Sequence, residues 1–333
     1  MRRFGVAVLV AISVVAFCAP LFAVHPPDLQ HRGFAFAPPM PLRVHSHVGW
    51  QAPFYHPVRL DTTRGVRVFL ENVDERVPLR LATGGRLMSG AAAQPWFPLG
   101  TDSLGRDVWS RLVFGARTSL AVVLCATALA LLLGTGIGAL AGSAGGWMDE
   151  ASMRLVDLVI VLPSLYVVLA LRSAMPLVLE PMTMFLALTG VLGVVGSPTV
   201  ARGVRGIVAA EWKREHVTAA QALGASRWRI AWRHTLPAAG DFLLTQGLLL
   251  APAFMFAEST LSLVGLGFAP PVASWGNMLQ DAMNVRALAD FPWVLTPALA
   301  ISAVVLGITL TAGSRFDSAI RSAHLPTGGT LHK

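Results

Sequence analysis

Residues 119 to 141 run for 23 positions without one charged side chain. In hydrocarbon an unpaired backbone N–H or C=O costs several kcal/mol, so such a stretch crosses a membrane only as a helix. At 1.5 Å per residue it rises about 35 Å, enough for a hydrocarbon core of about 30 Å. This segment alone removes the soluble fold classes. Composition agrees, with 54% hydrophobic and only 13% charged residues and a mean hydropathy of +0.60, outside the range of soluble domains. The formal charge of +8 would suggest nucleic acid in a soluble protein. In a membrane protein it reports loops that face an anionic inner leaflet. Cys18 and Cys125 both lie in apolar runs and read as small fillers, not zinc or redox ligands.

The apolar runs divide the chain. Residues 1–24 read as an N-terminal transmembrane helix, an uncleaved signal-anchor, because the run from 4 to 24 is about long enough to span. Cleavage after Leu21-Phe22-Ala23 is the alternative. Residues 25–98 form the largest polar region, expected to be a periplasmic insertion of small β or irregular structure, with a short strand at 66–70. Its histidines (His25, His31, His45, His47, His56) read as loop residues, and no metal is expected. Residues 99–318 form a core with five further spans, at 119–141, 155–171, 182–200, 241–266 and 292–313. Residues 319–333 form a cytoplasmic tail.

Local features refine this map. Gly100 and Gly105 permit tight turns, and Asp102, Arg106 and Asp107 are expected to pair at the membrane edge. Gly134, Gly136 and Gly138 let a second helix approach closely. Asp157 is expected to pair with Arg154 at helical spacing, and Pro163 to kink the third span. Six spans counted from the inside place both termini in the cytoplasm.

The most polar stretch of the core runs from 201 to 238. It carries Arg202, Arg205, Lys213, Arg214, Arg227, Arg229 and Arg233 against Glu211 and Glu215. A short loop with that excess belongs in the cytoplasm. Residues 211–223 have helical composition, and Gly224 offers a left-handed stop. Ser226 can cap a second helix that carries Trp228, Ile230 and Trp232, and Pro237 is expected to end it. Two short helices with basic and aromatic residues at their joint read as a docking element.

The run Ala219-Ala220, Ala222-Leu223-Gly224-Ala225-Ser226, Arg229-Ile230, Arg233-His234 and Leu236-Pro237 resembles the cytoplasmic loop of ATP-binding-cassette (ABC) importer permeases. Further likeness comes from Leu99-Gly100-Thr101-Asp102-Ser103-Leu104-Gly105-Arg106-Asp107, from Gly145-Gly146-Trp147-Met148-Asp149-Glu150, and from Leu261-Ser262-Leu263-Val264-Gly265-Leu266-Gly267 with Ser274-Trp275-Gly276. The chain is similar to the dipeptide, oligopeptide and nickel group. The family signature has Glu where this chain has Thr218. The resemblance implies an all-α membrane protein of six transmembrane helices, the type I ABC importer permease (MetI-like) fold. It implies a coupling loop with Glu215, Thr218, Ala219, Ala220, Leu223, Gly224, Ala225, Ser226, Arg229 and Pro237 as ATPase-coupling residues. The implied partners are a second homologous permease, two ABC ATPase subunits, an extracytoplasmic substrate-binding protein and the lipid of the bacterial inner membrane. ATP and Mg would be bound by the ATPases, with no cofactor bound by this chain and no nucleic acid.

Glu258 is the one carboxylate deep in an apolar run. Such groups face a bundle interior or a water-filled path. Both a translocation-path role and a structural hydrogen bond to Ser259, Thr260 or a partner helix fit its position. No phosphate-binding loop and no catalytic triad or HExxH pattern occurs, so the chain is not an enzyme alone. An ion-coupled secondary transporter or channel would carry more ionisable residues within its spans. A membrane-anchored scaffold would not need five further spans.

Overall fold

The computed structural model describes residues 2–46, 49–61, 68–83, 85–91, 94–161, 164–174, 176 and 179–323. Helix α1, Arg2–Phe17, leads through a short α2, Ala19–Phe22, into the polar region. Seven short strands follow among the described residues. β1 (Arg43–Ser46) pairs antiparallel with β2 (Gly49–Tyr55), which also pairs with β5 (Val77–Pro78). β3 (Val58–Asp61) and β4 (Val68–Glu71) form one hairpin, with Arg59 opposite Leu70; β6 (Arg80–Thr83) and β7 (Arg86–Ser89) form another. The strand expected at 66–70 is thus β4, and residues 66 and 67 lie outside the described set, as does His47. These strands and the flanking loops share a small core of their own around Met40, Tyr55, Trp96 and Phe97.

The rest is helical: α3 (Val108–Ala144), α4 (Gly146–Val161), α5 (Ser164–Ser173), α6 (Pro181–Glu211), α7 (Glu215–Ala222), α8 (Arg227–Ile230), α9 (Gly240–Leu263), α10 (Trp275–Met278), α11 (Val285–Asp290) and α12 (Thr296–Ala323). Four helical runs among the described residues are long and apolar enough to cross a membrane: 108–144, 181–211, 227–263 and 292–313. α1 is shorter, and the third expected span is divided into α4 and α5, with Pro163 outside the described residues.

Two differences from the expected map have plain causes. α3 begins eleven residues before the uncharged run, at Val108, because Asp107 caps it by accepting from the backbone N–H groups of Trp109 and Ser110. α6 continues to Glu211, so Arg202 and Arg205 sit on a membrane-domain helix, not in the loop. Their charges are taken up by α4: Arg205 by Asp149, and Arg202 by Asp157. The expected Asp157–Arg154 pair is therefore corrected. Arg154 instead pairs with Glu150 four residues earlier, the better helical orientation for an acid–base pair.

α3 and α6 pack at backbone contact. A methyl group at Gly134 would lie 2.5 Å from Val200 Cβ, one at Gly138 2.4 Å from the Ala201 carbonyl oxygen, and one at Gly142 2.8 Å from the Arg205 carbonyl oxygen. The small residues at four-residue spacing make one stripe, as close packing in lipid requires. Gly136 is not part of it, with open space around its Cα. The main core gathers buried side chains of α1, α3, α6, α9, α10 and α12, including Val122, Leu192, Met255, Trp275 and Val304.

Candidate functional site

The hairpin between α6 and α9 is built by its ends. At the close of α7 the Ala225 N–H bonds to the Ala220 carbonyl at 3.1 Å and the Gly224 N–H to that of Gln221 at 2.9 Å. This pair of bonds is the Schellman stop, and it needs a left-handed residue. Gly224 supplies it with φ of 80°. Ser226 then caps α8, its Oγ accepting from the Arg229 N–H at 3.4 Å. Stop and cap lie two residues apart, which leaves little freedom at the joint. Val217 of α7 and Ile230 of α8 are fully buried.

The opposite face is open. Leu223 is 88% exposed, Trp228 66% and Trp232 56%, and the two indoles meet edge to face at 5.4 Å. Glu215, Thr218, Ala219, Gly224, Ser226, Arg229 and Pro237 are exposed, and Ala220 and Ala225 half-buried. Thr218 turns its hydroxyl back to the Arg214 carbonyl at 3.4 Å. Pro237 does not end a helix as expected. After α8 the chain winds as a π-helix over Ala231–Thr235 and a 3-10 turn over Leu236–Ala239, then enters α9 without leaving helical geometry. Pro237 takes an early position of the tighter turn, where a missing N–H costs little.

A second polar cluster closes the far end of α9. Glu258 is fully buried. It accepts from Ser262 Oγ at 2.8 Å and from Ser119 Oγ of α3 at 3.0 Å. Ser119 in turn accepts from the Trp275 N–H at 3.2 Å, and the Trp275 indole donates to the Leu112 carbonyl at 2.9 Å. Ser274 and Asn277 form a capping box on α10. Asp102 holds the Arg106 Nε at 2.6 Å and lies 3.5 Å from that of Arg111. The expected ion pairing at the head of α3 thus joins Asp102 to Arg106, while Asp107 serves as the cap. Glu258 thus joins α9 to α3 directly, and through Ser119 to the head of α10. The interhelical Ser119 bond is long-range and carried no sequence signal.

The fold defines a polytopic membrane protein with a stiff polar hairpin on one face of its helices. Residues 134–317 match the family described as the binding-protein-dependent transport system inner membrane component, and the chain belongs to this family. It is 37% identical over 224 residues to the oligopeptide transport system permease protein OppC of Bacillus subtilis, covering 67% of this chain and 70% of that one. It is 38% identical over 211 residues to the dipeptide transport system permease protein DppC of the same organism, covering 63% of each. It is 31% identical over 233 residues to the glutathione transport system permease protein GsiD of Pectobacterium atrosepticum, covering 70% of this chain and 74% of that one. The chain is accordingly a permease subunit of an ABC importer, a multi-pass protein of the bacterial inner membrane. It is a non-catalytic subunit that works with an ATPase and a substrate-binding protein. The ion-coupled alternative has no support among its relatives.

Proposed function

We propose that the chain forms half of the translocation path for peptides or similar small solutes and receives work from a separate ATPase through residues 211–237. The observation that carries the coupling assignment is the pairing of a rigid joint with an open apolar face. Exposed Leu223, Trp228 and Trp232 crown a hairpin whose turn is fixed by Gly224 and Ser226. Large apolar side chains exposed among arginines mark a protein-contact surface, since aromatic and Arg residues dominate interface hot spots. Glu215, Thr218, Ala219, Ala220, Ala225, Arg229 and Pro237 complete the contact. Thr218 keeps its hydroxyl on its own helix, so the contact that the family's Glu makes is replaced here by other members of the face.

In this reading the complex also holds a second homologous permease, two ATPases that bind ATP and Mg, and an external binding protein. Six spans cross the membrane: α1, α3, the α4–α5 pair, α6, α9 and α12. Both termini are cytoplasmic, residues 25–98 are periplasmic and residues 99–318 are the permease core. The first segment stays as an anchor. The names of the relatives, which speak of oligopeptides, dipeptides and glutathione, support a peptide-like solute. The test is Leu223→Asp, which changes an exposed side chain and leaves the fold alone. Affinity purification of the permease pair should lose its ATPase subunits at least about tenfold, as a hot-spot loss predicts. Full retention of the ATPases would refute the assignment.

A further inference from the structure

The polar hairpin leaves α6 and returns through α9, and both of its roots meet at the last turns of α6. Val200, Val204 and Val208 of α6 pack with Leu236, Ala239 and Phe242 at the entry to α9. Beyond Val208 the chain stays wound, with the Trp212 N–H on the Val208 carbonyl at 2.9 Å, the Arg214 N–H on that of Glu211 at 3.0 Å and the Val217 N–H on that of Arg214 at 3.0 Å. Arg205 lies about 9 Å before the end of α6 at 1.5 Å per residue. A methyl group at Gly138 of α3 would come 2.9 Å from its backbone nitrogen, and one at Gly142 2.8 Å from its carbonyl oxygen. Its side chain holds Asp149 of α4 through two bonds, Nε to Oδ1 at 2.9 Å and Nη2 to Oδ2. One residue thus joins α3, α4 and α6 beside the root of the hairpin.

The Asp149 side chain is 16% exposed, and a two-point contact between carboxylate and guanidinium fixes angle as well as distance. That geometry lets an ion pair count where a single exposed contact does not. Of the 16 residues of α4 only Val156 is buried, so apolar packing within this chain does little to set α4 on α6. The other tie, Asp157 to Arg202, is a single contact. One point leaves a hinge, and the Asp149–Arg205 pair removes it. We propose that Asp149 and Arg205 are positioning residues for transport, which make α4 travel with the hairpin root when the ATPases move it. The inference rests on the coupling reading above and adds to it an output arm, α4, reached through α6.

The test uses the complete transporter in proteoliposomes, with Cys18→Ala and Cys125→Ala as background and no other cysteine. Spin labels at Ala151→Cys of α4 and at Ala210→Cys of the root, both exposed, are each paired with one at Val285→Cys of α11, which is 78% exposed. Pulsed electron resonance measures the two distances without nucleotide and after arrest of the ATPases with ATP and vanadate. In the intact protein both distances should change between the two states. With Asp149→Asn the 210–285 change should persist, while the 151–285 change should fall to about half or less and its distribution broaden, because one of the two ties is lost. Asp149→Glu, which keeps the carboxylate, should restore the change. Glu150→Gln, whose partner Arg154 lies on the same helix, should leave both distances as they were. A 151–285 change that survives Asp149→Asn would overturn the positioning role. Loss of both changes together would overturn it too, since the pair would then only support the fold. A 210–285 distance that does not respond to nucleotide in the intact transporter would instead fail the coupling reading, and the inference with it.

Discussion

The close packing of α3 on α6 gives the sharpest prediction, because two neighbouring glycines of α3 should respond to the same substitution with opposite signs. Gly138→Ala puts a methyl group 2.4 Å from the Ala201 carbonyl oxygen and 2.9 Å from the Arg205 backbone nitrogen. Both neighbours are main chain of α6, so no side chain can swing away. Relief requires the helices to part by about 1 Å, and overpacking of this kind costs about 1–3 kcal/mol. Gly136→Ala meets nothing within 4 Å and gains about 0.5–1 kcal/mol of helix propensity. The two variants should therefore differ by roughly 1.5–4 kcal/mol. At about 2–4 °C per kcal/mol for a chain of this class, Gly138→Ala should melt roughly 3–15 °C below Gly136→Ala. The assay is thermal unfolding of the detergent-solubilised transporter, followed by the loss of its monodisperse chromatographic peak. Equal melting temperatures would show that α3 and α6 do not meet along the 134–138–142 stripe, and the packing argument would fail with them.

Three further outcomes follow from named contacts. Glu258→Gln keeps a carbonyl acceptor for one hydroxyl and an amide donor for the other, of Ser119 and Ser262, and should leave uptake within about threefold, whereas Glu258→Leu orphans buried hydroxyls at about 1–3 kcal/mol each and should reduce the amount of assembled complex; equal yields of both variants would count against the Glu258 junction. His31 sits against His25 and Phe97 near Asp107, and burial, then the neighbouring His25, push its imidazole below the usual range while Asp107 pulls the other way. A depressed imidazole resists protonation in the folded state, so its contribution is whole above about pH 6.5 and is lost as pH falls through the lower folded value; melting between pH 8 and 5 should show an acid-side fall that His31→Phe flattens. Gly224→Ala forces a side chain into a left-handed conformation at a cost of about 1–2 kcal/mol and should raise hydrogen exchange across residues 215–230, while unchanged exchange would mean that the turn is not held at φ of 80°.

The elements that were legible in the sequence are those set by local chemistry. The uncharged run at 119–141 demands a helix, Gly224 and Ser226 mark a stop and a cap, and the family likeness at 219–237 rests on adjacent residues. What escaped was set by partners far along the chain. Nothing local says that Arg202 and Arg205 are helical; a basic run reads as a loop until Asp149 and Asp157 of α4 are there to neutralise it. Asp157 was paired with Arg154 on spacing alone, and the cation that took it lies 45 positions away. Gly134, Gly136 and Gly138 are alike in composition, but only the helical phase of a facing surface decides that Gly142 belongs to the stripe and Gly136 does not. The bonds of Glu258 to Ser119 and Ser262 illustrate the same point, one local and one 139 residues distant.

These contacts bear on how a push on the hairpin would reach the far end of α9. Had Pro237 ended α8 with a flexible turn, a displacement there would be absorbed locally. Instead the helical path runs from Arg227 through the π-helical and 3-10 segments into α9. The changes of pitch are a weak place in it, because both geometries hold their hydrogen bonds less well than an α-helix. At the far end Glu258 joins α9 to Ser119 of α3, and Ser119 also holds the N–H of Trp275 at the head of α10. A strut attached at both ends moves its anchors together. Work delivered to the proposed coupling face would therefore reach α3 and α10 through α9, and softening the pitch change should cut that link while both ends stay folded. Inserting one alanine after Pro237 rotates the hairpin by about 100° relative to Glu258. It should leave ATPase binding and ATP hydrolysis in place and abolish uptake; normal uptake by the insertion variant would show that the work travels by another route.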